Sequence, residues 1–224
     1  MVKIVDLSHP IEDGMITYTG LPGPKITDHL SREASRGHYV EGTTFQIGKI
    51  EMVANTGTYI DAPFHRYVDG KDLAQFEIAS VANLDGLVFH ADPLTRAITP
   101  VLFEGRDVKG AAVLIHTGWD RHWSTGQYFE EHPFLSRESA EYLKSAGAVL
   151  VGIDSLNIDD NTDGTRPAHT ILLGAEIPIV EHMCNLSSLP GTGFKFFAVP
   201  APVIGMGSFP VRAFALIDKK SLMT

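Results

Sequence analysis

The chain carries one cysteine, Cys184, in 224 residues, which excludes an internal disulfide and sets the expectation of a reducing, cytoplasmic setting. Positive charge is scarce: 18 Lys and Arg stand against 27 Asp and Glu, a formal net charge of −9 with histidine neutral. The basic footprint needed to bind a phosphate backbone is therefore missing, and no nucleic-acid partner is expected. No apolar run approaches the ~20 residues of a membrane span, and the opening Met1-Val2-Lys3-Ile4-Val5-Asp6 is too polar for a signal-peptide core. Repeats, low-complexity tracts and long linkers are also lacking, so residues 1–224 read as a single domain. The remaining partner class is a small-molecule substrate.

What is present fits a globular α/β chain. The hydrophobic fraction is 44 %, and 21 Gly and 13 Pro punctuate short apolar runs. The pattern predicts a first strand over Val2 to Ile11 that ends at Pro10, a loop over 14–26, and a long strand over about Thr43 to Val53. In that long strand a break in period-2 alternation puts a bulge at Gly48. Leu87–His90, Ala112–Ile115 and Ala148–Ile153 read as strands buried on both faces, with Phe194–Val199 and Ala213–Ile217 completing the set. The clearest helix is Arg137–Ala146, with Ser136 as N-cap and Gly147 as terminator, and a second is expected over Thr170–Gly174.

Chemistry concentrates in Asn55-Thr56-Gly57-Thr58-Tyr59-Ile60-Asp61-Ala62-Pro63-Phe64-His65. Tyr59 and Asp61, two apart, share a face of any extended stretch. A carboxylate and an imidazole brought to one pocket can serve as metal ligand and acid/base. The competing reading is an Asx-type turn with a surface histidine. Cys184 beside His182 lacks the rest of a nucleophile's machinery and reads as a small buried hydrophobe. Asp159-Asp160-Asn161-Thr162-Asp163-Gly164 reads as a solvated loop near the site mouth, without the spaced Glu of a calcium loop.

The 55–65 segment resembles the signature His-x-Gly-Thr-His-x-Asp-x-Pro-x-His of the cyclase family of metal-dependent hydrolases, the kynurenine formamidase and isatin hydrolase group. Further blocks agree in order: Asp6-Leu7-Ser8-His9-Pro10-Ile11, His116-Thr117-Gly118-Trp119, Gly152-Ile153-Asp154, His169 with Glu181, and Gly207-Ser208-Phe209-Pro210-Val211-Arg212. The resemblance implies a swivelling β/β/α-type, cyclase-like fold with a mixed, partly barrel-like sheet. It also implies a homo-oligomer, dimer or tetramer. Asp61, His169 and Glu181 keep the family's metal-ligand positions, and His65 keeps its acid/base position. Asn55 and Tyr59 stand where the family has two metal-binding histidines, so a two-metal site is not expected.

Two versions of the site stay open. One His and two carboxylates can hold a single Zn or Mn ion with open positions. Alternatively the pocket is metal-free, Asp61 and Glu181 forming a carboxylate pair that retains a proton with Tyr59 as donor. The first version gives a hydrolase of a small amide, lactam, lactone or ester, with metal-activated water, His65 as proton shuttle, and Tyr59 and Asn55 donating to the oxyanion. The second gives an isomerase, dehydratase or cyclase that moves protons among Tyr59, Asp61, His65 and Glu181. A third reading is a non-catalytic relative that binds a small molecule. Phe64 and Trp119 are candidate substrate-facing walls, with core packing the alternative for each.

Overall fold

Apolar residues that alternate along a strand feed two cores at once, and this chain builds its centre on that rule. The computed structural model describes residues 2–218, so Met1 and 219–224 of the expected single unit lie outside the described residues. The strands are β1 Val2–Asp6, β2 Lys25–Leu30, β3 Ile47–Glu51, β4 Tyr59–Asp61, β5 Leu84–His90, β6 Ala97–Ile98, β7 Ala111–His116, β8 Phe134–Leu135, β9 Leu150–Ile153, β10 Ile179–Glu181, β11 Phe194–Phe197, β12 Ser208–Pro210 and β13 Phe214–Asp218. The helices are α1 Arg137–Ala146 and α2 Pro167–Gly174. Nine strands form one mixed sheet in the order β1-β13-β11-β5-β7-β9-β10-β4-β12. Its central strands β5, β7, β9 and β10 run parallel, and antiparallel strands flank them on both sides.

On β7, Val113 and Ile115 join a core shared with both helices, whereas Ala112 and Leu114 join a second core with β11 and β13. The helix α1 has the expected bounds. Ser136 accepts a hydrogen bond from the Ser139 amide at 3.2 Å, and the left-handed Gly147, at φ 84°, donates to Leu143 and Lys144 carbonyls. Such a cap contributes about 1 kcal/mol, and burying Leu143 against the sheet contributes roughly 2 kcal/mol. No helix among the described residues is long and apolar enough to cross a membrane.

Several boundaries differ from expectation. The first strand stops at Asp6 rather than near Pro10, because the chain leaves its partner β13. Leu7 still donates to Ala213 O, but its own carbonyl accepts from Cys184 N, so the backbone turns from one neighbour to another. The long strand expected over 43–53 shortens to β3, which pairs only with β2 in a ribbon exposed on both faces, with no core beneath to extend it. The expected bulge at Gly48 lies instead on the opposing strand, where His29 is the extra residue between Asp28 and Leu30. The second helix starts at Pro167, three residues earlier than expected. Proline's fixed φ suits a first turn, and the Asp159 carboxylate accepts from the Ala168 and His169 amides.

Gly86 sits opposite Phe194 in the β5–β11 register, and a Cβ there would lie 2.0 Å from the phenyl ring. Gly86→Ala is expected to lower stability by ~1–3 kcal/mol through overpacking. Gly48→Ala, where nothing lies within 4 Å, should change stability by less than about 0.5 kcal/mol. Paired melting curves check both, and equal midpoints would contradict this account of the β5–β11 contact.

Candidate active site

The three residues of β4 are hydrogen-bonded between β10 and β12, and the register does the placing. Glu181 lies opposite Tyr59, and Ser208 lies opposite Asp61. Period-2 geometry sends Ile60 into the core and leaves Tyr59 and Asp61 together on the other face. The Tyr59 hydroxyl donates to Glu181 Oε2 at 2.5 Å, and Glu181 Oε1 accepts from the Ile158 amide at 2.6 Å.

His65 follows β4 on a single 3₁₀ turn, Pro63–His65. Ala62 donates to Gly207 O at 2.7 Å, and a Cβ on Gly207 would lie 2.4 Å from the His65 amide nitrogen, so only glycine permits this approach. The Ser208 hydroxyl donates its one proton to Asp61 Oδ1. It must therefore accept from His65 Nδ1, 2.9 Å away, which in the neutral imidazole puts the lone pair on Nε2.

His169 is held from behind. Its Nδ1 lies 2.6 Å from Asp159 Oδ2, and its Nε2 faces Asp61 Oδ2 at 3.5 Å and Glu181 Oε1 at 3.9 Å. Burial works against a charged imidazole here, but Asp159, Asp61 and Glu181 outweigh it and raise the pKa to about 10. Burial likewise pushes the Asp61 carboxyl up, yet His169, His65 and Ser208 together hold it below the usual range. Burial raises Glu181, and the neighbouring Asp61 charge adds to the effect. Burial and the two carboxylates also raise Tyr59 well above the ordinary phenol value.

These groups meet at a cavity of about 250 Å³ lined by Tyr18, Leu21, Asn55, Tyr59, His65, Asn157, Arg166, His169 and Glu181. Of the residues expected from sequence, Asn55, Tyr59, His65, His169 and Glu181 are brought together at this lining, with Asp61 buried among them. Phe64 and Trp119 are not at the lining. Trp119 packs with Tyr128 and Leu156, and its indole donates to Tyr128 O at 3.0 Å. Asp159 corrects the reading of 159–164 as a wholly solvated loop, since it is fully buried and orients His169. Tyr18, Asn157, Asp159 and Arg166 were not signalled as site residues. No local signal marks Asp159, which lies eight residues before α2 and reaches its first amides only through the fold.

A divalent ion fits this donor set. Asp61 Oδ2 is buried without a hydrogen-bond partner, and ligand atoms of Asp61, His65 and His169 lie within 4.8 Å of one another. Mixed imidazole and carboxylate donors suit Zn or Mn. Asp159 on the far nitrogen of His169 is the outer partner that metal-binding histidines usually have. Both Glu181 oxygens already accept hydrogen bonds, which makes it a more committed group than Asp61.

The family model for the cyclases matches residues 5–160. The chain belongs to the cyclase family. Kynurenine formamidase of Geobacillus thermodenitrificans (strain NG80-2) is 30 % identical over 181 residues, covering 80 % of this chain and 84 % of that protein. A solved structure of a potential metal-dependent hydrolase with cyclase activity superposes with a TM-score of 0.80 at 24 % identity, covering 98 % of this chain and all of that one. Isatin hydrolase A from Labrenzia aggregata superposes with a TM-score of 0.81 at 20 % identity, covering 96 % and 94 %. These likenesses establish the cyclase-like α/β fold and its mixed, curled sheet.

Behind Tyr59, the cyclase fold here carries a second set of imidazoles kept neutral. The His9 ring stacks on Trp123 at 3.9 Å, and His182 Nδ1 lies 2.9 Å from the Tyr128 hydroxyl. The Nε2 atoms of both histidines are buried without a protein partner. Burial lowers His9 to about 4, against a weaker upward pull from Asp120, and lowers His182 to about 3. Cys184, close by, is pushed up to about 12 by burial, which leaves it a thiol.

The depressed His9 pKa has a signed consequence for stability. The unfolded chain takes up this proton below about pH 6.5, whereas the folded chain resists until about pH 4. The contribution is complete above pH 6.5 and declines as pH falls toward 4, by at most ~1.4 kcal/mol per pH unit. Melting temperature should fall across this window in the wild type and fall less steeply in His9→Gln. Parallel slopes would show that His9 does not titrate in this way.

Proposed function

We propose that this cyclase-family protein hydrolyses a small amide, or a lactam, lactone or ester of similar size, with His65 as the acid/base. The observation that carries the reading is Asp61 Oδ2, buried without a hydrogen bond, converging with His65 and His169 beside an open cavity. Relatives named kynurenine formamidase and isatin hydrolase support hydrolysis of a small amide. Asp61 and His169, with Glu181 Oε1 3.9 Å from His169 Nε2, are the residues that would hold one Zn or Mn ion, with His65 beside them as the acid/base. When bound, such an ion supplies Lewis-acid polarisation of the carbonyl and makes water more acidic.

The chain's own residues account for proton handling. In the neutral imidazole His65 Nε2 carries the lone pair because Ser208 fixes the other nitrogen as a donor, so it can take a proton from attacking water and return it to the leaving nitrogen or oxygen. Asn55 lines the same cavity and can donate to the developing oxyanion. The one Tyr59 hydroxyl proton is committed to Glu181, so Tyr59 is not free for the oxyanion role expected from sequence, and it instead orients Glu181. Asp159 keeps the His169 ring in one orientation.

A metal-free proton-transfer enzyme is the second reading, favoured by the Asp159–His169–Asp61 array, in which the imidazolium itself offsets the buried carboxylates. The protein is further proposed to be a cytoplasmic homo-oligomer, dimer or tetramer. The β2–β3 ribbon, with Ile26, Ile47 and Ile50 exposed, offers apolar surface for a second copy.

Purified protein should hold about one divalent ion per chain and lose at least ~100-fold of its turnover of an aryl formamide on exhaustive chelation. His65→Ala should lower kcat by ~10²–10⁴ while the melting temperature stays near wild type. Elemental analysis and steady-state rates check both. Turnover that survives chelation on an enolisable substrate would replace this reading with the metal-free one.

A further inference from the structure

The helix that presents His169 begins with Arg166 in the left-handed region, at φ 48°, a conformation disfavoured for a residue with a long side chain. Arg166 lines the wall of the reaction cavity with His65 and His169. It also lines a second cavity of about 350 Å³ with Arg66, Gly164, His65 and His169, so the two cavities meet at the same three side chains. This outer cavity has two guanidinium groups and no acidic residue in its lining, on a chain whose formal charge is −9. Arg66 is held in place by its Nε donating to Thr170 Oγ1 at 3.2 Å.

The Arg166 fork is only partly used by the protein. Its Nε lies 3.6 Å from Asp159 Oδ2, and Tyr18 is a hydrogen-bond neighbour. The Glu181 carboxylate acts on it as a nearby charge, while both Glu181 oxygens already accept from Tyr59 and Ile158. Asp159 already accepts from the Ala168 and His169 amides and from the His169 ring, so it cannot absorb the rest of the guanidinium's donors. The Arg166 side chain is 31 % exposed and lines the cavity, so part of the fork is open to a ligand there. A planar, permanently charged fork with spare N–H groups matches a carboxylate in geometry and charge.

We propose that Arg166, assisted by Arg66, is a carboxylate-binding subsite, and that the substrate is a small amide or ester carrying its own carboxylate group. Its scissile carbonyl lies at His65 and His169 while the carboxylate is held at the outer cavity. This rests on the hydrolase reading for the reaction, but the subsite is tested by binding alone. The arrangement also orients the substrate, since one end is fixed before the carbonyl reaches His65.

The test uses benzoate and benzamide, which share a shape and differ in charge, titrated calorimetrically into the purified protein before and after chelation. Benzoate should bind at least ~10-fold more tightly than benzamide in both preparations, and Arg166→Gln, at an unchanged melting temperature, should abolish that preference. Equal binding of the two probes by wild type would overturn the proposal without recourse to any variant. Benzoate affinity that persists in a folded Arg166→Gln protein would also overturn it, by placing the anion on His169 or a metal. Selective benzoate binding in a protein that hydrolyses no amide or ester would leave the subsite standing and remove the hydrolase reading.

Discussion

The pairing of β4 with two neighbours at once is the constraint on which the site depends. A three-residue strand has little stability of its own, and here it is held because β10 and β12 satisfy its backbone on both sides. The same ladders fix register, and a slip of one residue would exchange Tyr59 and Asp61 for Ile60 on the cavity face. Glu181 and Ser208 then need no separate positioning device, since they are the register partners of Tyr59 and Asp61.

Electrostatics follows from that placement. Three carboxylates, Asp61, Asp159 and Glu181, are buried around one imidazole, and such a cluster is costly unless its charges are shared or neutralised. The structure divides the burden. Asp61 stays ionised against His169, His65 and Ser208, while burial and the Asp61 charge raise the Glu181 pKa against the hydrogen bonds from Tyr59 and Ile158. The imidazoles behind Tyr59 take the opposite course and stay uncharged, so positive charge collects on the cavity side at His169, Arg166 and Arg66.

Much of this was legible in the sequence where local chemistry decides the outcome. The cap and terminator of α1, the apolar runs of β7 and β9, and the 55–65 motif all announce themselves within a dozen residues. So do His169 and Glu181, once the motif's family likeness is seen. Asp159 and Arg166 were hidden for a physical reason. They sit in a polar stretch whose composition looks solvated throughout, yet Asp159 is fully buried beneath the first turn of α2 and Arg166 lines the cavity, while Asn161 and Thr162 between them are exposed. Trp119 shows the reverse. Its aromatic character suits a pocket wall, but Tyr128 and Leu156 claim it first. The β2–β3 ribbon lacks a core on either face, so the period-2 pattern there overstated the strand's length.

The contacts that make the cavity span great stretches of chain: Tyr59 to Glu181 crosses 122 residues, and Asp61 to Ser208 crosses 147. Closing such loops carries an entropic cost that nearby contacts cannot recover, and folds dominated by them form slowly. The cavity is therefore completed only when the segment carrying Ser208, near the carboxyl-terminal end of the described chain, has docked beside β4. A ribosome-bound or truncated chain that ends before that segment could build the central parallel strands and both helices, yet His65 would have no Ser208 to fix its proton. Chemical competence in this molecule is a property of the finished topology, acquired at the last closure rather than accumulated along the way.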